Sequence, residues 1–518
     1  MKKILIIYIL LLTGFISCTD LEPDVYTDIT YDTFFKTEEQ VLSAAGPAYL
    51  SLNAFTNPEC VWGLAELTSD ELILPTRGIH WFNDGIYQRF HKHEWIPTDF
   101  IINNSWKVLY AGITNCNRTL ALYEDIEEQT EALITVSNEL RALRSFYYFQ
   151  LLDLFGNVPI VDSYDVPEGY APANNTREEV FNFVLDELTS GIPTLNNTVD
   201  MTTYARFHKY AALTLLAKLC LNAEVYVGKL MWDEAIEACD SVINSGKYLL
   251  NPEFFENFAI ENEESPENIF VIPFNNLFAP FWGDDIYPAR MFQHHLWTLH
   301  FNGTQTYNCE QGGWDGFCAV PSFYNSFDEA DIRREGLLTG LQFSYTGDTL
   351  FCNQELNGQP LIYTPDITSL ENAFENEGAR LVKYDYTEAS NYQLENDFVL
   401  FRYADVLLMK AEALMRKNGG TATQEAVDLV NQLRDRAFNG DVSKQYTTAT
   451  LTLDELLAER ARELYGESWR RNDLIRFGKF NDAIGNTRPA AASDIYNLFP
   501  IPQDQINANP NLKQNNGY

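Results

Sequence analysis

Apolar residues recur at helical spacing in the last quarter of the chain. Tyr403, Leu407, Ala411 and Leu414 are spaced by four, four and three positions, which places them on one face of an α-helix. An Asn-Gly-Gly run at 418–420 follows this stripe, and glycine accepts the left-handed backbone that a helix C-cap uses. The pattern therefore predicts a helix that ends at this run.

A second and a third helix are predicted after that turn. Thr421 and Gln424 have the spacing of a capping box. Four apolar residues then share one face: Ala426, Val430, Leu433 and Ala437. Residues 402–437 are therefore predicted as two antiparallel helices, roughly the length of a tetratricopeptide unit. The third helix is predicted from Thr452, with Glu455 as the partner in its capping box.

The same layout occurs earlier in the chain. A long apolar-periodic segment from residue 207 is followed by a short turn and an amphipathic segment over 231–248. Further helices are predicted over 104–124, 137–155 and 176–190, the last with Thr176 and Glu179 as a capping box. Repeated helix pairs bury their apolar faces on one another. The sequence therefore predicts an all-α, tetratricopeptide-like solenoid of helix pairs.

Helical periodicity fades between residues 251 and 394. Glycine, proline, asparagine and aromatic residues dominate this segment, and the segment over 72–95 has the same composition. Long irregular stretches of this kind usually carry function. We expect a loop-rich, partly β cap on the helical scaffold.

Three tryptophans lie in these polar, glycine-rich loops. Trp81 is followed by Asn83 and preceded by Arg77, Trp282 precedes two aspartates, and Trp314 lies between glycines. The negative face of an aromatic ring suits the polarised C–H groups of a sugar, and amide or guanidinium groups can bond to its hydroxyls. These five residues are the candidate glycan contacts. The alternative for each tryptophan is that it anchors its loop to the scaffold.

The N-terminus has the pattern of a secretory signal. Met1-Lys2-Lys3 is basic, and the apolar run over 4–15 is too short for a bilayer, which needs about 20 residues. Cys18 follows Ser17 at the end of this run, as in a bacterial lipobox. We expect cleavage after residue 17 and acylation of Cys18, since several acyl chains together anchor a protein stably. The alternative is an ordinary signal peptide with a chance cysteine.

Charge narrows the class of partner. The chain has 36 basic and 73 acidic residues, for a net charge of −37. A phosphate backbone would be repelled by this field, so nucleic acid is a poor partner. The same argument disfavours polyanionic glycans, whereas a neutral sugar is indifferent to the net charge.

The other seven cysteines give less information. Cys116, Cys220 and Cys239 lie on predicted helices, where cysteine behaves as a small buried hydrophobe. Cys318 could form a disulfide with Cys309 or Cys352 in an exported loop region.

No constellation points to catalysis or to a resident metal. The histidine pairs at 91/93 and 294/295 lack a third ligand, and HExxH, GxSxG, the P-loop and GxGxxG do not occur. The acidic run over 261–264 could hold Ca²⁺ but has no EF-hand pattern. Glutamates at 459, 463 and 467 with Arg460 and Arg470 are predicted to form ion pairs on helix faces. We therefore expect no cofactor and no enzymatic activity.

Several separated motifs resemble the SusD/RagB family. FRYADVLLMKAEAL, VNQLRDRA, ERARELYGESWRRNDLIRFG and the ending FPIPQDQINANPNLKQNNGY occur in the order of that family's C-terminal half. RALRSFYYFQLLDLFGNVP and TREEVFNFVLDEL resemble its N-terminal half. Ser468 departs from the pattern, because the family usually has glycine there. Members are outer-membrane lipoproteins of Bacteroidetes that capture glycans.

The resemblance implies one SusD-like unit. After a signal peptide at 1–17, residues 18–518 would comprise an N-terminal helical half at 18–250, a loop-rich ligand side at 251–394 and a C-terminal helical region at 395–518.

The resemblance also implies a function. The protein would be lipid-anchored through Cys18 at the outer-membrane surface, bind a neutral glycan and deliver it to a SusC-like TonB-dependent transporter. Peptide capture, as in RagB-type relatives, and surface glycosidase activity are the alternatives.

Overall fold

The computed structural model describes residues 35, 37–275, 292–389, 393–491 and 493–518. The predicted signal peptide, Cys18 and Trp282 lie outside these ranges. Within them, no helix combines the length and the apolar composition that a membrane crossing requires.

Sixteen α-helices form the scaffold of the described chain. In chain order they are α1 (Glu38–Leu50), α2 (Val61–Glu66), α3 (Ile86–Lys92), α4 (Phe100–Glu124), α5 (Glu131–Leu154), α6 (Arg177–Gly191), α7 (Lys209–Leu221), α8 (Ala223–Val227), α9 (Trp232–Ile243), α10 (His294–Thr298), α11 (Pro321–Tyr324), α12 (Tyr403–Lys417), α13 (Gln424–Ala437), α14 (Leu453–Leu464), α15 (Arg470–Arg476) and α16 (Gln503–Ala508).

The long helices stack in sequence. Helix α4 packs on α5, α5 on α6, α6 on α7, α7 on α9, α9 on α12, and α12 on α13. Each contributes an apolar face to one continuous core, in which Leu407 on α12 is 1% exposed. The predicted tetratricopeptide-like solenoid of helix pairs is confirmed.

Helix starts follow local capping chemistry. The predicted box at Thr176 and Glu179 is complete, and the Thr452 hydroxyl accepts a bond from the Glu455 amide as predicted. The cap of α13, however, is Thr423, so the prediction of Thr421 is wrong. The Thr421 carbonyl instead accepts a bond from the Asn418 side chain, which holds this residue in the preceding turn.

Eight short strands form four antiparallel pairs in the described ranges. They are β1 (Leu72–Ile73) with β3 (Cys318–Ala319), β2 (Asn268–Ile272) with β8 (Phe398–Arg402), β4 (Leu337–Leu338) with β7 (Arg380–Leu381), and β5 (Gly340–Leu341) with β6 (Ile362–Tyr363). Pairing of β2 with β8 closes the loop-rich segment at its base, and β8 runs directly into α12. Pairing of β1 with β3 ties the early loop segment to it, so the two predicted irregular stretches form one cap.

A buried ionic cluster fastens the cap to the last helices. Arg402, at the end of β8, contacts Glu267 at 2.7 Å, Glu463 at 2.6 Å and Glu467 at 2.8 Å. Arg333 of the cap contacts the other Glu463 oxygen at 2.8 Å. The predicted pairing of these glutamates with Arg460 and Arg470 is wrong, because Arg460 pairs with Asp405 and Asp473 and Arg470 pairs with Asp70. The glutamates pair instead with arginines of other segments and, for Glu459, with Arg462 on the same helix.

The seven cysteines of the described chain are free thiols. Cys116, Cys220 and Cys239 are buried on helices, as predicted. Cys318 accepts a bond from Arg77, and Cys309 donates to the Tyr386 carbonyl. A disulfide from Cys318 to Cys309 or Cys352 is therefore not formed.

Candidate functional site

A tight hairpin between β1 and α3 begins the site. The Arg77 amide donates to the His80 carbonyl at 3.0 Å, and the His80 amide donates back to Arg77 at 2.8 Å. Gly78, at φ +54°, allows the turn, and Ile79 at its tip is 92% exposed. The hairpin delivers Trp81 to the surface of the cap.

The backbone after the hairpin is unusual. Trp81, Asn83 and Asp84 have φ values of 64°, 37° and 55°, and Gly85 follows at 71°. Asparagine and aspartate tolerate the left-handed region, but a bulky residue there is strained. Strain of this kind collects at functional sites. Its result is that Phe82, Asn83 and Asp84 are exposed while Trp81 is half-buried.

Trp81 is fixed by one hydrogen bond and two ring contacts. Its indole Nε1 donates to the Trp314 carbonyl at 2.7 Å. Its ring centroid lies 4.8 Å from that of Trp297 and 5.9 Å, edge-on, from that of Tyr87. Since Trp314 also meets Trp297 edge-on at 5.8 Å, the three indoles form one cluster, Trp81/Trp297/Trp314.

Trp314 is held by the segment on which it lies. Its amide donates to the Leu296 carbonyl at 2.6 Å, and the Gly316 amide donates to Trp297 at 2.7 Å. A Cβ at Gly316 would lie 2.6 Å from the Trp297 carbonyl oxygen and 3.1 Å from the Trp81 ring. Only glycine permits this approach, so the indole cluster depends on the glycine that follows Trp314 and Asp315.

Charged groups lie buried beneath the indoles. The Asp315 carboxylate pairs with Arg380 at 2.8 Å and lies 3.8 Å from Arg77. Arg77 also donates to the carbonyls of Phe374 and Glu377. Burial, and then the neighbouring Arg380, lower the pKa of Arg77. These contacts brace the floor of the site.

The predicted contact residues therefore separate into groups. Trp81 and Trp314 are joined by their hydrogen bond. Asn83 is exposed two positions after Trp81, and its Nδ2 lies 3.3 Å from the Tyr87 hydroxyl. Arg77 is 2% exposed, so its guanidinium offers no surface to a ligand and we no longer include it among the proposed contacts. Trp282 lies outside the described residues.

Trp297 is the member that sequence reasoning missed. It lies in α10, beside His294 and His295, within the loop-rich segment at 251–394, but neither a glycine nor an acidic residue adjoins it. Nothing in the sequence separates it from an ordinary core tryptophan. Its part in the cluster follows from the backbone hydrogen bonds that residues 314–316 donate to residues 296–299.

The surface of the site is poor in exposed cations, because Arg77 and Arg380 beneath the indoles are buried. Between residues 291 and 378 the sequence contains only two basic residues, Arg333 and Arg334. Arg333 is buried in the ionic cluster. An anionic ligand would find little to neutralise it here, whereas a neutral ligand needs no countercharge.

Histidines do not form a metal site in the described part of the chain. There, no group of three or more His, Cys, Asp or Glu side chains is arranged to hold a metal ion. His91, His93 and His294 are buried and hydrogen-bonded to Thr487, Thr68 and Thr56. Burial lowers the pKa of His93 and His294 to about 3, which keeps both rings neutral.

Comparison with protein families identifies two matching models. One, described as the SusD family, matches residues 290–518. The other, described as starch-binding associating with outer membrane, matches residues 74–221. The first contains Trp297 and Trp314 and the second contains Trp81, so the indole cluster draws on both matched segments.

Similar proteins cover most or all of the chain. The starch-binding protein SusD of Bacteroides thetaiotaomicron is 27% identical over 453 residues, which is 76% of this chain and 76% of that protein. SusD-like protein P2 of Formosa agariphila is 27% identical over 545 residues, covering 100% of both. The crystal structure of a SusD homologue from Bacteroides thetaiotaomicron superposes with a TM-score of 0.75 at 21% identity, covering 95% of this chain and 99% of that one.

Proposed function

The chain belongs to the SusD family, and from that premise we propose that it captures neutral oligosaccharides or polysaccharides at the cell surface without cleaving them. The observation that carries the proposal is the hydrogen-bonded Trp81–Trp314 pair at the surface of the cap. The name of the starch-binding relative supports the same class of ligand.

The geometry supports capture by stacking. Two half-buried indoles, fixed by Trp297 and by each other, present ring surface whose conformational entropy has already been lost. Each ring is expected to contribute about 1 kcal/mol by packing against sugar C–H groups. Exposed Asn83 supplies an amide for hydroxyl groups. Affinity is then the sum of a few such terms minus the cost of ordering the ligand.

We further propose that the protein is anchored in the outer membrane through acylated Cys18 and delivers its glycan to a SusC-like TonB-dependent transporter. The family resemblance and the lipobox-like sequence at Cys18 support this proposal. Acyl chains on Cys18 would leave the folded unit tethered by the acidic segment that begins at Thr19.

The test is a binding screen of the soluble chain that lacks residues 1–18. It is applied to an array of neutral and acidic polysaccharides and, in parallel, to a peptide array. We expect binding to at least one neutral polysaccharide and no release of reducing ends from it. Release of reducing ends would establish a glycosidase, and capture of peptides alone would establish the RagB-type alternative.

A further inference from the structure

A small β-structure in the cap exposes one apolar face. Three segments, residues 340–343, 349–352 and 359–363, pair with one another and are named here the 340–363 meander. Leu341 pairs with Ile362, Phe343 with Thr349 and Phe351 with Pro360. Cross-strand partners share a face, as do alternate residues along a strand. The six side chains of these three pairs therefore lie on the same face.

The opposite face of the meander is buried. Leu350, Cys352, Leu361 and Tyr363 form a small core of their own. That core accounts for the folding of the meander. Nothing in it requires the outer residues to be apolar, because a half-buried sheet normally alternates apolar-in with polar-out.

The outer face is exposed and apolar at once. Leu341, Phe343, Phe351 and Ile362 are each between 41% and 47% exposed. Contiguous exposed apolar groups of this kind mark binding surfaces. Of the eight large aromatic side chains that are exposed in the described ranges, five lie in this cap: Phe82, Phe343, Tyr345, Phe351 and Phe374.

The meander adjoins the indole cluster. The side chain of Asn302 donates to the Phe351 carbonyl at 2.8 Å, and the neighbouring Phe301 ring lies 5.3 Å from that of His80, which precedes Trp81. A Cβ on Gly78 would meet the Glu355 carboxylate at 2.0 Å, so the hairpin before Trp81 touches the meander directly. One surface continues from the proposed site onto the meander.

Its chemistry matches a neutral polymer of sugars. Exposed amides of Asn353, Gln354, Asn357 and Gln359 lie in the turn of the meander, and the segment has no lysine or arginine. Aromatic rings beside amides can stack on sugar rings and bond to their hydroxyls. The only charged residues of the segment are two acids, Asp348 and Glu355. An anionic partner would therefore find no cation on the meander.

We propose that the outer face of the 340–363 meander is a second contact surface for the same glycan chain, reached by chains that extend beyond the Trp81/Trp297/Trp314 cluster. This inference rests on the proposed function. It predicts that affinity increases with chain length, because a second contact on one chain forms at high effective concentration.

The test compares short and long chains of one sugar. Soluble starch with maltotriose and maltoheptaose, and laminarin with laminaritriose and laminarihexaose, serve as probes in calorimetry and affinity electrophoresis, together with any further neutral polysaccharide found in the array. Phe343→Ala/Phe351→Ala is expected to weaken polysaccharide binding about five- to tenfold and to leave the trisaccharide affinity unchanged. Phe351→Trp should retain binding, and Tyr170→Ala, which removes an exposed aromatic outside the cap, should change neither affinity.

The outcomes separate the two proposals. Equal polysaccharide affinity in wild-type and the double variant, with trisaccharide binding intact, would overturn the proposal of a second glycan surface. The exposed apolar face would then indicate a protein partner. An equal loss for both chain lengths would also overturn it, since the substitution would then act on the first site. If wild-type binds no neutral polysaccharide, the proposed function fails and this inference fails with it. Thermal melting confirms that the variants fold.

Discussion

The indole of Trp81 donates a 2.7 Å hydrogen bond to the carbonyl oxygen of Trp314, 233 positions later in the chain. The bond joins the loop between α2 and α3 to the cap segment between α10 and α11. Because the acceptor is the backbone of Trp314, replacing that side chain leaves the bond possible, whereas replacing Trp81 removes it. The two tryptophans can therefore be tested separately.

Trp81→Ala and Trp314→Ala should each weaken binding of a neutral oligosaccharide several-fold, because each removes a stacking surface worth about 1 kcal/mol. Trp81→Phe keeps a ring but loses the indole bond, so its affinity should lie between those of wild-type and Trp81→Ala. Calorimetry at low and high salt measures these affinities. Binding should be nearly independent of salt, since stacking and hydroxyl contacts are not screened.

Tyr170→Ala is the matched control, because Tyr170 is an exposed aromatic outside the cap. Wild-type affinity in both tryptophan variants would place the ligand elsewhere. A steep loss of affinity with salt would instead indicate an anionic ligand.

The helical scaffold could be predicted because its signals are local. The stripe that contains Leu407 and the box of Thr176 with Glu179 each lie within a few residues, and both appear in the structure. Boundaries were less accurate: α5 begins at Glu131 rather than near 137, because Thr130 caps it. The first residues of α5, before the predicted start at 137, are helical although they do not carry the apolar pattern on which the prediction rested.

The site could be predicted only in part, because it is built from long-range contacts. Trp81 and Trp314 stood out by their polar, glycine-rich surroundings. The role of Arg77 did not follow from sequence, since its partners Phe374, Glu377 and Asp315 lie more than two hundred positions away. A short loop motif cannot show whether an arginine faces solvent or a buried carboxylate.

Ser468 offers a test of a departure from the family. Its φ is 71°, in the left-handed region that favours glycine, and its hydroxyl is buried without a hydrogen-bond partner. Ser468→Gly should therefore raise the free energy of unfolding by about 1 kcal/mol. Urea denaturation monitored by tryptophan fluorescence measures this change.

Ser468→Ala separates the two causes. It removes the unpaired hydroxyl but keeps the Cβ in a left-handed backbone, so it should recover only part of the gain. The Ser468 amide donates to Glu66 at 2.6 Å, and neither substitution removes that bond. A glycine variant less stable than wild-type would show that the serine side chain stabilises this turn.

Anchoring has its own test in the full-length chain. Cys18→Ala should abolish acylation and release the protein from membranes, because removal of all acyl chains removes the hydrophobic attachment. Membrane fractionation with metabolic labelling by a fatty acid measures both effects. Cys60→Ala is the control, since Cys60 is a buried thiol of the folded unit and its loss should leave labelling unchanged. Equal membrane retention of the Cys18 variant would contradict the lipid anchor.

Stability should depend on pH through carboxyl groups shifted in opposite directions. Burial alone would raise the pKa of Glu459, but the guanidinium groups of Arg333, Arg462 and Arg434 lower it to about 2. Burial raises the pKa of Asp397 to about 6, despite bonds from the Tyr204 hydroxyl and the Phe274 amide. The pKa of Glu459 in the unfolded chain is near 4.5, so its lowered pKa stabilises the folded state at pH values above 4.5. This stability is lost as the pH falls towards 2.

Asp397 acts in the opposite sense. Its pKa in the unfolded chain is 3.8, so the folded state binds more protons than the unfolded state between pH 4 and 6. The stability it contributes is complete below about pH 4 and is lost as pH rises through 6, by about 3 kcal/mol at most. Burial also raises the pKa of Glu66, which adds to this decline. The buried histidines act against this decline: the pKa values of His93 and His294 are lowered to about 3, so the unfolded chain binds more protons than the folded chain between about pH 3 and 6.5. The contribution of Asp397 is therefore measured as a difference between wild-type and a variant that lacks only this carboxyl.

Asp397→Asn should remove the part of the pH dependence that this carboxyl contributes. An asparagine can accept the Phe274 amide bond with its oxygen and donate to Tyr204 with its nitrogen, so the neutral side chain fits the same partners. The variant should match wild-type near pH 4 and exceed it at pH 7. Urea unfolding at half-unit steps from pH 4 to 8 measures the free energy of unfolding of both proteins. Asp186→Asn is the control, because Asp186 is an exposed aspartate. Parallel curves for the Asp397 variant and wild-type would show that this carboxyl is already ionised in the folded protein at low pH.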